Sequence, residues 1–304
     1  MRSIAAGWLV LFGVSSAGVA AAPTKDANIE KMVAEISAQR IEASIRKLVG
    51  FETRNSLSDT VSDTTGVGAA RRWIKSEMER CARANGGRMT VAFDEHLAAV
   101  SARVPQPTPI VNVVATLPGI EAESADRIYL VSGHYDSMRG SPLNADGFAP
   151  GANDDASGTA AVMELACVMS KYKFNATLVF MTVAGEEQGL LGSTFYAKAA
   201  KAKGINIAGM ITNDIIGNTR GSDGVVVRDR VRLFAEGIPP LKEMPEEWLT
   251  LIRTGGENDS PARQLARHIK ASAERYVPKI TVDLIYRRDR YLRGGDHFPF
   301  LDAG

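Results

Sequence analysis

Four short polar clusters in this sequence contain side chains that bind divalent metal ions or move protons, namely one histidine and six carboxylates. The clusters are GHYDS with His134 and Asp136, GANDDASG with Asp154 and Asp155, AGEEQG with Glu186 and Glu187, and TNDIIG with Asp214. Three of them follow apolar runs typical of buried strands, and the GANDDASG loop leads into a helical pattern. Ligands in open α/β sheets bind outside the carboxyl ends of the strands. We therefore expect these side chains to converge on one rim of a sheet.

Carboxylates crowded into a partly buried cleft need a neutralising partner, because they repel one another and lose hydration. A pair of divalent metal ions provides one. Zinc accepts histidine nitrogen and carboxylate oxygen, and a shared carboxylate can hold two ions about 3.5–4 Å apart in a hydrolytic centre. Each cluster alone is a weak signal, but four clusters at equivalent positions favour a metal centre that activates water.

The segments that must position these clusters alternate between strand and helix patterns. Strand patterns cover residues 89–93, 110–115, 128–131, 177–183 and 207–211. Helix patterns cover residues 27–48, 67–84, 158–172 and 190–202. Ser260 and Pro261 predict the start of a further helix that contains His268. The sequence therefore predicts an α/β fold with a mostly parallel, mixed central sheet and helices on both faces. Residues 217–264 are expected to form a loop-rich segment over the rim.

Composition and the N-terminus narrow the choice of partner and compartment. The net charge is +1 over 304 residues, which gives no global field for nucleic acid or an anionic membrane. Residues 1–22 have a basic start, a short apolar stretch and small residues at the end, the pattern of a cleaved secretory signal peptide. We expect residues 23–304 to form one exported domain, periplasmic or secreted, without a membrane span. Cys81 and Cys167 are expected to be buried, and their pairing stays open.

The motifs GHYDS, GANDDASGTAAVMELA, AGEEQGLLGS and ITNDIIGN resemble, in order and spacing, those of the co-catalytic zinc aminopeptidases. That family belongs to the group that also includes glutamate carboxypeptidases and glutaminyl cyclases. The resemblance covers residues from about 110 to the end of the chain. It implies a zinc-exopeptidase fold, two zinc ions and a peptide substrate.

The resemblance also implies a role for each residue of the clusters. His134, Asp154 and Asp214 would bind one zinc, and Asp154 would bridge to a second zinc held by Glu187. Asp136 would orient the ring of His134, as metal-bound histidines generally require. Glu186 would be the general base toward the attacking water. The peptide bond between Asp154 and Asp155 would be cis.

The C-terminal part of the chain departs from the family pattern. The resemblance places Asp296 and His297 near the substrate site, and it places the last zinc-binding histidine later, after another strand. The chain ends seven residues after His297. We therefore expect a zinc peptidase domain that lacks its last strand, that histidine-bearing loop and a closing helix. His96 and His268 are expected to be structural or surface groups.

These observations favour a metal-dependent exopeptidase that removes N-terminal residues from peptides. A glutaminyl-cyclase-like enzyme with a single zinc, or a carboxypeptidase-like enzyme using arginines of residues 287–293, stays open on the same fold. An inactive truncated fragment is the remaining alternative. The sequence does not indicate an oligomeric state.

Overall fold

The central sheet has five strands, four of which run in the same direction. A computed structural model describes residues 24–238, 244–289 and 291–304, so the predicted signal peptide lies outside the described residues. The strands are β1 Thr90–Ala98, β2 Thr108–Leu117, β3 Ile128–His134, β4 Thr177–Val183 and β5 Ile207–Thr212. Their order is β1-β2-β4-β3-β5, and β2 runs opposite to the other four strands. This confirms the predicted mixed, mostly parallel sheet.

Strand β4 separates two hydrophobic cores, because successive side chains of a strand point to opposite faces. Phe180 packs into the core that contains buried residues of α3 (Gly66–Ala84) and α4 (Ala156–Met169). Val179 and Met181 pack into the opposite core, which Tyr196 and Phe300 cover from α5 (Leu191–Ala202) and α8 (Phe298–Ala303). Burial on both faces explains why this strand is apolar throughout.

The predicted single helix over residues 27–48 is wrong, because two helices occupy this segment. Helix α1 spans Ala27–Glu35 and helix α2 spans Ala38–Val49. Ile36 and Ser37 have extended backbones, and the Ser37 side chain caps α2 by accepting a hydrogen bond from the Arg40 N–H. Serine is a preferred N-cap residue, so local capping chemistry interrupts a continuous apolar pattern.

A second, two-stranded sheet follows the central one. It consists of two parallel strands, β6 (Arg230–Ala235) and β7 (Thr281–Tyr286). Helices α6 (Glu246–Thr254) and α7 (Pro261–Tyr276) lie between these strands in the sequence. The prediction of a loop-rich segment over residues 217–264 is therefore wrong for β6 and α6. Helix α7 begins after Ser260 as predicted, and His268 on it is exposed. None of the helices in the described residues combines the length and apolar character of a membrane span.

Cys81 of α3 and Cys167 of α4 form a disulfide whose Cα atoms are 5.1 Å apart. The two residues are separated by 86 positions in the sequence. The bridge therefore fixes the packing of α3 against α4, and the N-terminus of α4 carries Asp155.

We expect the double variant Cys81→Ala/Cys167→Ala to lower the free energy of unfolding by about 2–5 kcal/mol, because the open chain gains entropy when a long loop is released. Urea denaturation of the oxidised wild type and of the double variant measures this difference. A change below about 1 kcal/mol would show that the bridge contributes little to stability.

Candidate metal centre

His134, Asp154 and Asp214 form a compact group of potential metal ligands at the carboxyl rim of the sheet. One ligand atom from each residue lies within 4.8 Å of the others. His134 is 1% exposed, and its Nε2 lies 3.1 Å from Asp154 Oδ1 and 3.8 Å from Asp214 Oδ1. The other ring nitrogen, Nδ1, lies 3.2 Å from the Asp136 carbonyl oxygen and 3.4 Å from Asp136 Oδ1. One side of the ring therefore faces the ligand group, and the other faces Asp136.

Asp155 ties together the three segments that carry these ligands. Its Oδ2 accepts a hydrogen bond from the backbone N–H of His134, and its Oδ1 accepts one from the N–H of Ile215. The same carboxylate caps α4 by accepting from the N–H of Gly158. The peptide bond between Asp154 and Asp155 is cis, as the resemblance implied.

Gly158 allows α4 to approach the loop that carries Asp214. A Cβ atom at this position would lie 2.1 Å from the Asn213 carbonyl oxygen, which is too close for any side chain. Asn213 in turn donates its N–H to the Ser132 carbonyl of β3 at 2.8 Å. Contacts of Asn213 with α4 and with β3 thus fix the loop that carries Asp214.

Asp136 also holds the turn that carries the two glutamates. Its Oδ1 accepts the N–H of Glu186 at 3.3 Å, and its Oδ2 accepts the N–H of Glu187 at 3.2 Å. Asp136 is fully buried. The sequence prediction gave this residue only the task of orienting His134, whereas the structure shows that it connects the histidine to the glutamate turn.

Two further residues fix the start of the same turn. The Asn112 Oδ1 accepts the N–H of Ala184, and the Ser56 Oγ accepts the N–H of Gly185 at 2.8 Å. Both Asn112 and Ser56 are buried polar residues. The sequence did not indicate either residue, because both lie far from the turn along the chain. The only local signal of Asn112 is a polar residue within an apolar strand, and that of Ser56 is a short polar run.

Burial and mutual repulsion shift the pKa values of this site. Burial raises the pKa of Glu186 to about 9 and that of Glu187 to about 7, with Asp136 adding repulsion to both. Burial disfavours charge on His134, but the facing carboxylates outweigh it and raise the histidine pKa well above its usual value. The hydrogen bond from His134 lowers the pKa of Asp154. Such shifts indicate a concentration of negative charge that a cation would stabilise.

The remaining predicted site residues lie beside this group. Glu187 is not a member of the three-residue group among the described residues, so its role as a ligand of a second zinc stays a prediction. Asp296 is buried, and its Oδ1 accepts a hydrogen bond from Ser193 Oγ at 2.6 Å. Burial raises the pKa of Asp296 to about 7, and its charge contributes to the raised pKa of Glu186. His297 Nε2 lies 3.1 Å from the Arg288 carbonyl oxygen.

The two other histidines lie away from this group. His96 is half-buried on β1, where its Nε2 lies 3.0 Å from the Asp94 carboxylate and its ring stacks on Phe195. His268 is exposed on α7. Neither belongs to a group of potential metal ligands among the described residues.

The three-residue group fits zinc. A tetrahedral zinc with bonds of about 2.0–2.2 Å separates its ligand atoms by roughly 3.3–3.6 Å. The separations of 3.1 and 3.8 Å from His134 Nε2 bracket that value. Histidine nitrogen and carboxylate oxygen are ligand types that zinc accepts, and a carboxylate behind the histidine is the usual supporting contact of a metal-bound histidine.

Fold and site together define a mixed α/β sheet whose carboxyl rim carries one histidine and several carboxylates suited to zinc. The model of peptidase family M28 matches residues 112–304, and the chain belongs to this family. Zinc is accordingly its cofactor.

One curated relative and two solved structures are similar to this chain. A probable zinc metalloprotease of Pyricularia oryzae is 47% identical over 286 residues, covering 94% of this chain and 57% of its own length. The LapA aminopeptidase of Legionella pneumophila matches with a TM-score of 0.62 at 20% identity, covering 92% of this chain and 64% of that one. An Acidobacteriales bacterium glutaminyl cyclase matches with a TM-score of 0.60 at 18% identity, covering 93% and 80%. The two structures support the fold, and the chain spans little more than half the length of the Pyricularia relative.

Proposed function

We propose that this chain carries the catalytic centre of a zinc aminopeptidase, which removes the N-terminal residue from peptides. The observation that carries the proposal is the placement of His134, Asp154 and Asp214 beside a turn with two half-buried glutamates. Asp136 connects the two, because it contacts His134 and accepts the N–H groups of Glu186 and Glu187. The name of the LapA aminopeptidase supports the choice within the family.

His134, Asp154 and Asp214 would hold the zinc ion, with Glu187 as the proposed ligand of a second one. Bound zinc lowers the pKa of its water and polarises the scissile carbonyl. Glu186 takes the proton of the attacking water on a carboxylate oxygen and delivers it to the nitrogen of the leaving amine. Burial raises the pKa of Glu186 to about 9 in the metal-free protein, and the positive charge of bound zinc would lower this pKa toward the ionised form that a general base requires.

A glutaminyl cyclase is the second candidate. The three-residue group suits a single metal ion, and single-zinc chemistry is what the resemblance associates with the cyclases. A cyclase acts on an N-terminal glutamine and releases ammonia, whereas an aminopeptidase hydrolyses the first peptide bond. The two reactions therefore differ in their products.

Product analysis of three zinc-loaded reactions tests the proposal. The substrates are a peptide with a free N-terminal leucine, the same peptide with an acetylated N-terminus, and a peptide that begins with glutamine. We expect mass spectrometry to show loss of leucine from the free peptide and no cleavage of the acetylated one. Ammonia loss from the glutamine peptide without leucine release would establish the cyclase instead. Release of C-terminal residues would indicate a carboxypeptidase.

We also propose that the enzyme is exported to the periplasm or the medium. The signal-like pattern of residues 1–22 supports this location. The bridge between Cys81 and Cys167 agrees with it, because disulfides persist mainly in oxidising compartments. Detection of the mature chain in the periplasmic or culture fraction, with its N-terminus near Ala22, would test the proposal.

A further inference from the structure

Arg54 is a fully buried arginine whose guanidinium bonds to backbone carbonyls around the metal centre. The residue is 0% exposed. Its Nε donates to the Tyr135 carbonyl at 2.7 Å, and its Nη2 donates to the Gly151 carbonyl at 2.9 Å. Its Nη1 donates to the carbonyls of Pro150 at 2.8 Å and Leu48 at 3.0 Å. Four of the five N–H groups that an arginine offers are thus used on backbone oxygens.

These acceptors belong to the segments that carry two of the proposed zinc ligands. Tyr135 directly follows His134, and Gly151 lies three residues before Asp154. The guanidinium is planar and rigid, so its Nε and Nη2 donors hold their two acceptors at a fixed separation. Leu48, near the end of α2, anchors the group to the helical layer. Arg54 therefore links the end of β3 to the aspartate loop.

A second link runs through the backbone of Arg54. Its N–H donates to Ser137 Oγ at 3.0 Å, and Ser137 Oγ donates to the Ala149 carbonyl at 2.8 Å. Gly151 packs so closely here that an added Cβ would lie 2.9 Å from Arg54 Nη2 and 2.5 Å from the Asp154 carbonyl oxygen. The loop is therefore in van der Waals contact with the arginine as well as hydrogen-bonded to it.

The charge of Arg54 complements the site. Burial lowers the pKa of Arg54 to about 10, while the negative charges of Asp136, Asp155 and Asp154 oppose that change. The group therefore stays cationic at neutral pH. A buried cation is costly to maintain unless its hydrogen-bonding groups and its charge are compensated, as they are here.

We infer that Arg54 is a positioning residue of the metal centre, which sets the separation of His134 from Asp154 and thereby the affinity for zinc. This inference rests on the proposed zinc site. The arginine itself is separated from the ligand atoms by the backbone that it binds. Arg54 acts by fixing the relative positions of His134 and Asp154 in the metal-free protein.

The test is the zinc affinity of the metal-free protein, measured by competition with a chromophoric chelator. Arg54→Lys keeps the positive charge but loses the planar fork, and we expect it to weaken zinc binding about 10–100-fold, the usual cost of losing a partner behind a metal ligand. Arg263→Lys is the matched control. Arg263 is also buried, but it bonds to Asn258 and lies over the ring of Tyr286 in the second sheet region. We expect its zinc affinity to stay within about twofold of wild type, because the change does not reach the ligand segments.

The outcomes separate positioning from general stability. A loss of affinity in Arg54→Lys, with circular dichroism like that of the wild type, supports the inference. Equal affinities of wild type and Arg54→Lys, or equal losses in Arg54→Lys and Arg263→Lys, would overturn it. If Arg54→Lys does not fold, the zinc affinity of Ser137→Ala is the test. This variant keeps the guanidinium and removes the hydrogen bond between the Arg54 N–H and Ser137 Oγ. We then expect a several-fold loss of affinity, and an unchanged affinity would overturn the inference.

A further variant distinguishes failure of this inference from failure of the proposed zinc site. His134→Ala should abolish zinc binding at the centre. If His134→Ala binds zinc as well as the wild type, the site assignment is wrong and the inference is overturned with it. If His134→Ala loses zinc while Arg54→Lys does not, the zinc site stands and only the role of Arg54 is rejected.

Discussion

Replacing Glu186 with glutamine should leave zinc bound and reduce peptide hydrolysis by a factor of about 10²–10⁴, the usual contribution of a positioned general base. Glutamine has nearly the same shape as glutamate but cannot accept a proton from water at neutral pH. Glu186 lies outside the group of His134, Asp154 and Asp214, so its change should not alter the metal content. The backbone N–H of residue 186 would still donate to Asp136.

Two measurements on the same preparation check this expectation: zinc per mole of protein, and kcat/KM for the peptide that the enzyme cleaves best. Glu95→Gln is the matched control, because Glu95 is an exposed glutamate on β1. It should retain the wild-type rate. Near-normal turnover of Glu186→Gln would reject the general-base assignment, and loss of zinc would move Glu186 into the ligand set.

Much of the fold was predictable from local patterns. The strand over Thr177–Val183 was predicted with the observed bounds, because burial on both faces makes its whole sequence apolar. Strand β6, with the sequence RVRLFA, was missed because its first half is charged and exposed. Its pairing with β7 depends on residues some fifty positions further along the chain, and a local pattern does not contain this information.

The candidate site, like the fold, was predictable where local motifs carry the information and not where distant contacts do. His134, Asp154 and Asp214 could be predicted because each belongs to a motif at a strand end or a helix start. The residues that hold these motifs could not be predicted so readily. Arg54 and Ser56 follow α2 in an irregular polar stretch, and their importance depends on which distant carbonyl and N–H groups they meet. Asp136 was predicted, but its bonds to the glutamate turn depend on the pairing of β3 with β4.

Replacing Asp154 with alanine should remove zinc from the centre, and with it all measurable hydrolysis. Asp154 Oδ1 lies 3.1 Å from His134 Nε2, and the resemblance implies that this carboxylate is shared by both metal ions. Its loss leaves His134 and Asp214 as the two remaining members of the described group, whereas a catalytic zinc normally has three protein ligands. We therefore expect zinc affinity to fall by more than the roughly 10–100-fold that the loss of an outer partner costs.

The fold should survive this change. The Asp154 side chain is 50% exposed, so alanine leaves no buried cavity, and Asp155 still caps α4. Thermal unfolding of the metal-free variant should therefore differ little from that of the metal-free wild type. Asp146→Ala, which removes an exposed carboxylate from the preceding loop, should keep full zinc content and rate. If Asp154→Ala binds zinc as tightly as Asp146→Ala does, the metal does not lie between His134 and Asp214, and the catalytic centre must be sought elsewhere on the rim.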